Sequence, residues 1–328
     1  MKSFLTNSPL NLGSSKQTSN YLSKASVPSA LKFLKRQWTE ALADFKFLAR
    51  TMIIVFSLMA VLYSSTLLML LIHQEKFIFK PKKSFSSEIS IWGTKDHHIQ
   101  LPWKDGQAHA HLFLRENSSR SLIYFYGNAS NIDTSIEKCR WLSQFVDASI
   151  FVADYPGYGQ TTGEPGQKDI ADLMEVWDRE LTNQWNLPAQ QRLIWGHSLG
   201  GAVASQFAAK HGAFGLILEN TFNSMIDMAG EAYPFMPIRM VCRHPFDSDL
   251  ALKNWNKPTL IYHSEDDHVV PIELGIRLKE SLPPGSGHWV VTRGRHNQSY
   301  QESQSRYTST FRSVFPSWTT STLPKTLH

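Results

Sequence analysis

The chain has 328 residues, 42% hydrophobic and 19% charged, enough for one sizeable globular domain plus additional segments. Residues 1–50 carry eight Lys/Arg against two acids, while the remaining 278 carry 25 against 26, so the net charge of +5 belongs to the N-terminal segment. A near-neutral remainder argues against nucleic acid as a partner, and two cysteines, Cys139 and Cys242, are too few for a disulfide framework.

Residues 1–27 are rich in Ser, Asn and Thr and are expected to be a disordered tail. From Pro28, the apolar residues Leu31, Leu34, Trp38, Leu42, Phe45 and Leu48 recur at three- and four-residue steps, with Lys32, Lys35, Arg36 and Lys46 among them. That pattern predicts a basic amphipathic helix over 28–49, suited to a membrane surface or to packing on the catalytic domain. Residues 51–72 hold no charge and are long enough to cross a hydrocarbon core of about 30 Å. They predict a transmembrane helix, with the lipid bilayer as partner. Five Lys/Arg flank it on the N-terminal side and four on the other, which favours a cytoplasmic N-terminus and a catalytic domain across the membrane.

Further on, β-prone runs at 109–114, 121–126, 149–153, 192–195, 214–218, 259–263 and 288–292 alternate with helical stretches at 132–145, 168–184, 199–210 and 273–281. Such alternation predicts an α/β fold with a mainly parallel sheet covered on both faces. Section 222–256 contains Pro234, Pro237 and Pro245, breaks the rhythm and reads as a short lid. The expected catalytic domain covers 76–315, followed by a tail over 316–328.

Leu193-Ile194-Trp195 leads into Gly196-His197-Ser198-Leu199-Gly200, and an Ala-rich helix follows directly. This G-x-S-x-G between strand and helix lifts a serine hydroxyl clear of the sheet and sets it at a helix N-terminus. Ser198 is therefore the expected nucleophile. A hydroxyl needs a base, and the base needs an orienting acid, in the chain order Ser, acid, His. The strand 259–263 is followed by Glu265, Asp266 and Asp267, of which Asp267 is taken as the acid. The strand 288–292 is followed by His296, the expected base. Glu219 and Asp266 are the competing acids. The loop after 121–126 offers the N–H of Asn128, which with that of Leu199 would form an oxyanion hole. His109 and His111 share a strand face, but no ligand set completes them, so neither metal nor cofactor is expected.

Eight ordered motifs carry a resemblance: QEKFIFKP, YFYGNASN, DYPGYGQTTGEP, GHSLGG, ILENTF, HPFDSDLAL, HSEDDHVVP and GRHNQ. Over about residues 76–310 the chain resembles the α/β-hydrolase superfamily, and within it the small membrane-anchored serine hydrolases that include depalmitoylase-like enzymes. The resemblance implies Ser198 as nucleophile, Asp267 as acid, His296 as base, Asn128 and Leu199 as oxyanion donors, and a structural Asp154. Two departures stand out: Tyr126-Gly127 where the family usually has His-Gly, and His263-Ser264 where it again usually has His-Gly. The expected activity is hydrolysis of an ester or thioester of a small acyl or acylated-protein substrate. A peptidase of the same fold, or a catalytically silent membrane-tethered scaffold, is the alternative. Oligomeric state is not legible.

Overall fold

The computed structural model describes residues 27–83, 89–91, 93–116 and 118–320, so residues 1–26 of the expected N-terminal tail and residues 321–328 lie outside the described residues. The chain divides into two units, residues 1–68 and 69–328.

In the first unit, the described residues from Val27 onward belong to one helix, α1 (Val27–Ile78), which continues into the second. The expected amphipathic segment and apolar span are thus one uninterrupted element. No Gly or Pro stands between residues 29 and 72 to break it. Trp38, Phe45, Ile53, Phe56 and Leu62 are all more than half exposed. Apolar side chains exposed along such a length mark a surface suited to a partner or a membrane. By length and composition this is a candidate transmembrane span.

The second unit begins at Met69, earlier than the expected 76. Leu70 and Gln74 are already buried in it. Here α1 passes a non-helical residue, His73, and ends at Ile78. Eight strands form one sheet: β1 (Lys95–Trp103), β2 (Gly106–Leu114), β3 (Ser121–Phe125), β4 (Ser149–Ala153), β5 (Arg192–His197), β6 (Gly215–Glu219), β7 (Thr259–Ser264) and β8 (Gly287–Thr292). Their spatial order is β1-β2-β4-β3-β5-β6-β7-β8. The pairs β1–β2 and β2–β4 are antiparallel, and all others are parallel. Strands β3 to β7 are buried along their whole length, as a sheet covered on both faces requires.

The helices are α2 (Ile132–Ser143), α3 (Gln167–Asn183), α4 (Leu199–His211), α5 (Met225–Ala232), α6 (Ile238–Val241), α7 (Ser248–Leu252), α8 (Ile272–Ser281), α9 (Ser299–Glu302) and α10 (Gln304–Val314). Helix α2 opens on a capping box between Asn131 and Thr134. Helix α3 buries Ile170, Leu173, Met174, Trp177 and Leu181 along one face. The short helices α5 to α7 make up the expected lid section.

Two elements depart from the sequence reading. Strand β1 is an edge strand with four exposed residues among its first six and a proline near its end, so its apolar signal is thin. Helix α10 is rich in Ser and Thr, and its core contact rests on Tyr307 and Phe311. The expected tail from 316 is also packed at first. Trp318 is buried, its carbonyl accepts from Asp147 N–H, and Thr320 N–H donates to the Phe145 carbonyl.

Under the carboxyl edge of the sheet lies a buried ion pair. Lys138 Nζ of α2 stands 2.8 Å from Glu219 Oε2 and 2.9 Å from Oε1. The carboxylate also accepts from Trp195 Nε1 at 2.7 Å and from the Tyr307 hydroxyl at 3.2 Å. Burial holds the Lys138 ammonium down at about 8, against the pull of Glu219. Removing one partner leaves the other charge buried without compensation, which typically costs about 3–5 kcal/mol. Lys138→Met should therefore lower the melting midpoint of the full chain in detergent by on the order of 10 °C. The double variant Lys138→Met, Glu219→Gln should recover part of that loss. Equal midpoints for wild type and Lys138→Met would remove the pair from the stability of the fold.

Candidate active site

The chain runs from β3 to β4 on one side, then crosses back to β5 on the other. The carboxyl ends of β3 and β5 therefore face each other at a switch point, where open α/β sheets bind ligands. Strand β3 delivers the loop at 126–130, and β5 delivers Ser198.

Ser198 has φ 54° and ψ −124°, a conformation that L residues rarely adopt. The turn is tight enough that a Cβ on Gly196 would strike the Gly200 carbonyl and Ala204. A Cβ on Gly200 would strike the carbonyls of Phe125 and Tyr126. Two hydrogen bonds fix the turn: Ser198 N–H to the Glu219 carbonyl at 2.9 Å, and the Thr221 hydroxyl to the Ser198 carbonyl at 2.7 Å. Leu199 is the first residue of α4, so its N–H has no partner within the helix.

His296 lies in the loop after β8, with its Nδ1 2.6 Å from Asp267 Oδ2. The Asp267 side chain is fully buried. Its other oxygen accepts from the N–H groups of Val269 and Val270 at 2.8 and 2.9 Å. Burial would raise this carboxyl, but the His296 hydrogen bond and the two amides outweigh it and hold it below the ordinary aspartate value. The competing acids are engaged elsewhere. Asp266 Oδ2 accepts from Gly294 N–H at 3.0 Å, and Glu219 is paired with Lys138.

The His296 carbonyl accepts from two side chains: Asn220 Nδ2 at 2.8 Å and His197 Nε2 at 3.1 Å. His197 also borders the opposite loop, since a Cβ on Gly127 would lie 2.8 Å from its Nδ1. Burial, reinforced by His296 nearby, pushes the His197 imidazole down to about 4, so it is neutral at neutral pH. From its place beside the nucleophile in the motif, sequence reasoning expects a packing or hydrogen-bonding residue, and its Nε2 bonds the His296 carbonyl.

Asn128 adds a feature invisible in the motif. Its side-chain amide donates to the Ile78 carbonyl at 2.6 Å and accepts from Lys80 N–H and the Tyr158 hydroxyl, both at 2.8 Å. The loop of the expected oxyanion donor is thereby tied to the chain just after α1. Tyr126, standing where the family usually has His, locks the following turn. Its hydroxyl donates to Asp154 Oδ1 at 3.1 Å, and its carbonyl accepts from the Tyr155 hydroxyl at 2.9 Å. Asp154 also accepts from Ile132 and Gln160 N–H, an architectural set of contacts.

A cavity of about 330 Å³ opens at Ser198 and Leu199. Its walls are mostly apolar, with Phe77 and Ile78 from the end of α1 and Phe222, Met225, Met228 and Ile238 from the lid section. Stem and lid are clamped together. Arg243 Nη2 contacts both Glu75 oxygens at 2.7 and 2.9 Å, Arg243 N–H donates to Gln74 Oε1 at 2.7 Å, and Gln74 Nε2 donates to the Val241 carbonyl at 3.2 Å. Among the described residues no group of His, Cys, Asp and Glu has metal-binding geometry.

Two outcomes follow. Asp267→Asn puts in place of the carboxylate an amide whose N–H can face His296 Nδ1 and hold the wrong tautomer, and should lower kcat by up to about 10⁴-fold, while Asp266→Asn stays within about tenfold of wild type. Steady-state kinetics on an activated ester checks both, and reversed sensitivities would transfer the acid role to Asp266. The second concerns acid stability. The unfolded chain binds a proton at His197 below about 6.5, while the folded chain resists until about 4, so stability falls as pH drops through that window. His197→Gln should flatten the decline, by about 3 kcal/mol at most. Melting midpoints of the two proteins from pH 7 to 4 measure it, and parallel declines would assign the acid sensitivity to other groups.

A sequence family described as alpha/beta hydrolase fold matches residues 119–241. The chain is 27% identical over 226 residues to the alpha/beta hydrolase domain-containing protein WAV2 of Arabidopsis thaliana, covering 62% of this chain and 73% of that one. It is 29% identical over 170 residues to protein bem46 of Schizosaccharomyces pombe (49% and 57%), and 26% identical over 196 residues to human alpha/beta hydrolase domain-containing protein 17B (58% and 66%). The match thus spans little more than half of the fission-yeast relative. Among solved structures it is similar to the Pyrococcus furiosus esterase Pf2001, with a TM-score of 0.57 at 14% identity over 73% of this chain and 99% of that one. It is also similar to an alpha-beta hydrolase from Vibrio vulnificus, with a TM-score of 0.53 at 19% identity over 68% and 80%. With sheet order, serine turn and family match in agreement, the chain has the α/β-hydrolase fold.

Proposed function

We propose that this chain is a membrane-anchored serine hydrolase that cleaves an ester or thioester of an acyl or lipid-like substrate. One observation carries the reading: His296 is hydrogen-bonded to the buried Asp267 carboxylate, and its carbonyl accepts from His197, the residue preceding a serine that is held on a strained turn and lines an apolar cavity. In this reading His296 Nε2 takes the proton of Ser198 Oγ as the oxygen attacks the acyl carbon. The developing oxyanion lies against the N–H groups of Asn128 and Leu199. The imidazolium then gives its proton to the departing alcohol or thiol, and a water activated by the same imidazole releases the acid. The acyl chain occupies the cavity between lid and stem, while residues 51–72 hold the enzyme in the bilayer with the N-terminus cytoplasmic and the catalytic domain opposite.

A fluorophosphonate probe should label the full chain in detergent, and Ser198→Ala should abolish labelling and turnover of p-nitrophenyl acyl esters. Activity should rise with acyl length before falling. A folded protein that neither labels nor turns over such esters would leave the silent-scaffold reading, and peptide cleavage without ester cleavage would leave the peptidase. In sealed vesicles, protease added outside should distinguish the two orientations. Release of the full chain from membranes by carbonate would overturn the anchor.

A further inference from the structure

A second cavity, of about 320 Å³, flanks the serine turn and differs from the first in chemistry. Its lining draws on both loops that carry the proposed machinery, with Gly127, Asn128 and Ser130 on one side and Asn297, just after His296, on the other, where Gln301 of α9 joins it. Thr134 and Ser135 of α2 extend it, and His197, Lys138 and Glu219 form its inner end. Asn128 borders both cavities. The acyl carbon attacked by Ser198 must send its chain one way and its departing group toward the base that protonates it. The apolar cavity suits the chain. The polar cavity lies along the loop of that base.

Resting on the proposed serine chemistry, we infer that the polar cavity takes the leaving group, and that this group is uncharged and carries hydroxyls or amides. Charge is the first ground. Two carboxylates, Glu137 and Glu219, line the cavity against one cation, Lys138. That ammonium is already engaged. It contacts both Glu219 oxygens, and it lies 3.9 Å from the Tyr300 ring centroid and 4.6 Å from that of Trp141. A phosphate-bearing leaving group would meet a surplus negative charge and no free cation among the described lining residues. Hydrogen bonding is the second ground. The Asn297 and Gln301 side chains are exposed at the wall and offer amide groups that both donate and accept. A bare alkyl leaving group would use none of them.

The test holds the acyl group constant. Full-length protein in detergent is given decanoyl as ethyl ester, glycerol monoester, S-acyl cysteinyl peptide amide and coenzyme A thioester, with p-nitrophenyl decanoate as a report on Ser198 alone. The glycerol monoester should exceed the ethyl ester in kcat/KM by about tenfold, the effect of two net hydrogen bonds. The coenzyme A thioester should be the poorer of the two thioesters, and the glycerol and peptide arms distinguish a polyol from an amide source. Gln301→Leu and Asn297→Leu should each narrow the glycerol-to-ethyl ratio. Rapid p-nitrophenyl turnover with equal rates on the ethyl and glycerol esters, or a preferred coenzyme A thioester, would overturn this inference and leave the serine chemistry standing. No p-nitrophenyl turnover would instead overturn the serine chemistry.

Discussion

Ser198 holds a side chain in a backbone conformation that glycine enters far more readily, and this local strain, of order 1–3 kcal/mol, has to be outweighed by its surroundings. The surroundings are specific. Strand β5 ends with its Gly196 against α4, the Glu219 carbonyl of β6 accepts the serine N–H, and Thr221 holds the serine carbonyl. The contacts come from α4 and from β6 with the residues just after it, and Gly200 sits against Phe125 of β3, so the turn survives only if β3, β5, β6 and α4 pack together. The buried residues of those strands and of α4 supply that packing.

Beneath the turn, polar groups are buried in pairs and chains. Lys138 and Glu219 neutralise each other, and Trp195 and Tyr307 complete the carboxylate's hydrogen bonds. Above them, the His296 carbonyl receives Asn220 and His197, and Asn220 Oδ1 accepts from Ser264 N–H at 2.9 Å. In low-dielectric surroundings such chains are stiff when every member is satisfied. The loop carrying His296 is therefore fixed through its backbone as well as through its imidazole.

Local signals made the strand–serine–helix run and the order of acid and histidine readable, because each depends on short-range chemistry: glycines at the turn, an apolar strand before it, carboxylates after a strand. The central strands were readable for the same reason. Strand β1 was not, since an edge strand alternates few apolar residues with many polar ones. Helix α10 was hidden by its Ser and Thr content, and the packing of Trp318 needed knowledge of what lies beside Phe145 and Asp147. The ties from Asn128 to Ile78 and Lys80, and the pairing of Lys138 with Glu219, join residues 48 to 81 positions apart. No periodicity within either segment points to the other.

The clamp among Gln74, Glu75, Val241 and Arg243, with Asn128 bonded to Ile78, changes what residues 74–80 are. They follow an apolar helix and resemble a tether, yet they wall the apolar cavity and support the loop of the expected oxyanion donor. Phe79 is only 2% exposed, packed near His244 and Phe246. A soluble form cut after this segment would lose a wall of its cavity and one support of its loop together. A cut has to fall before Leu70, inside the apolar stretch itself, so a fragment that keeps its cavity whole carries the last part of that stretch along.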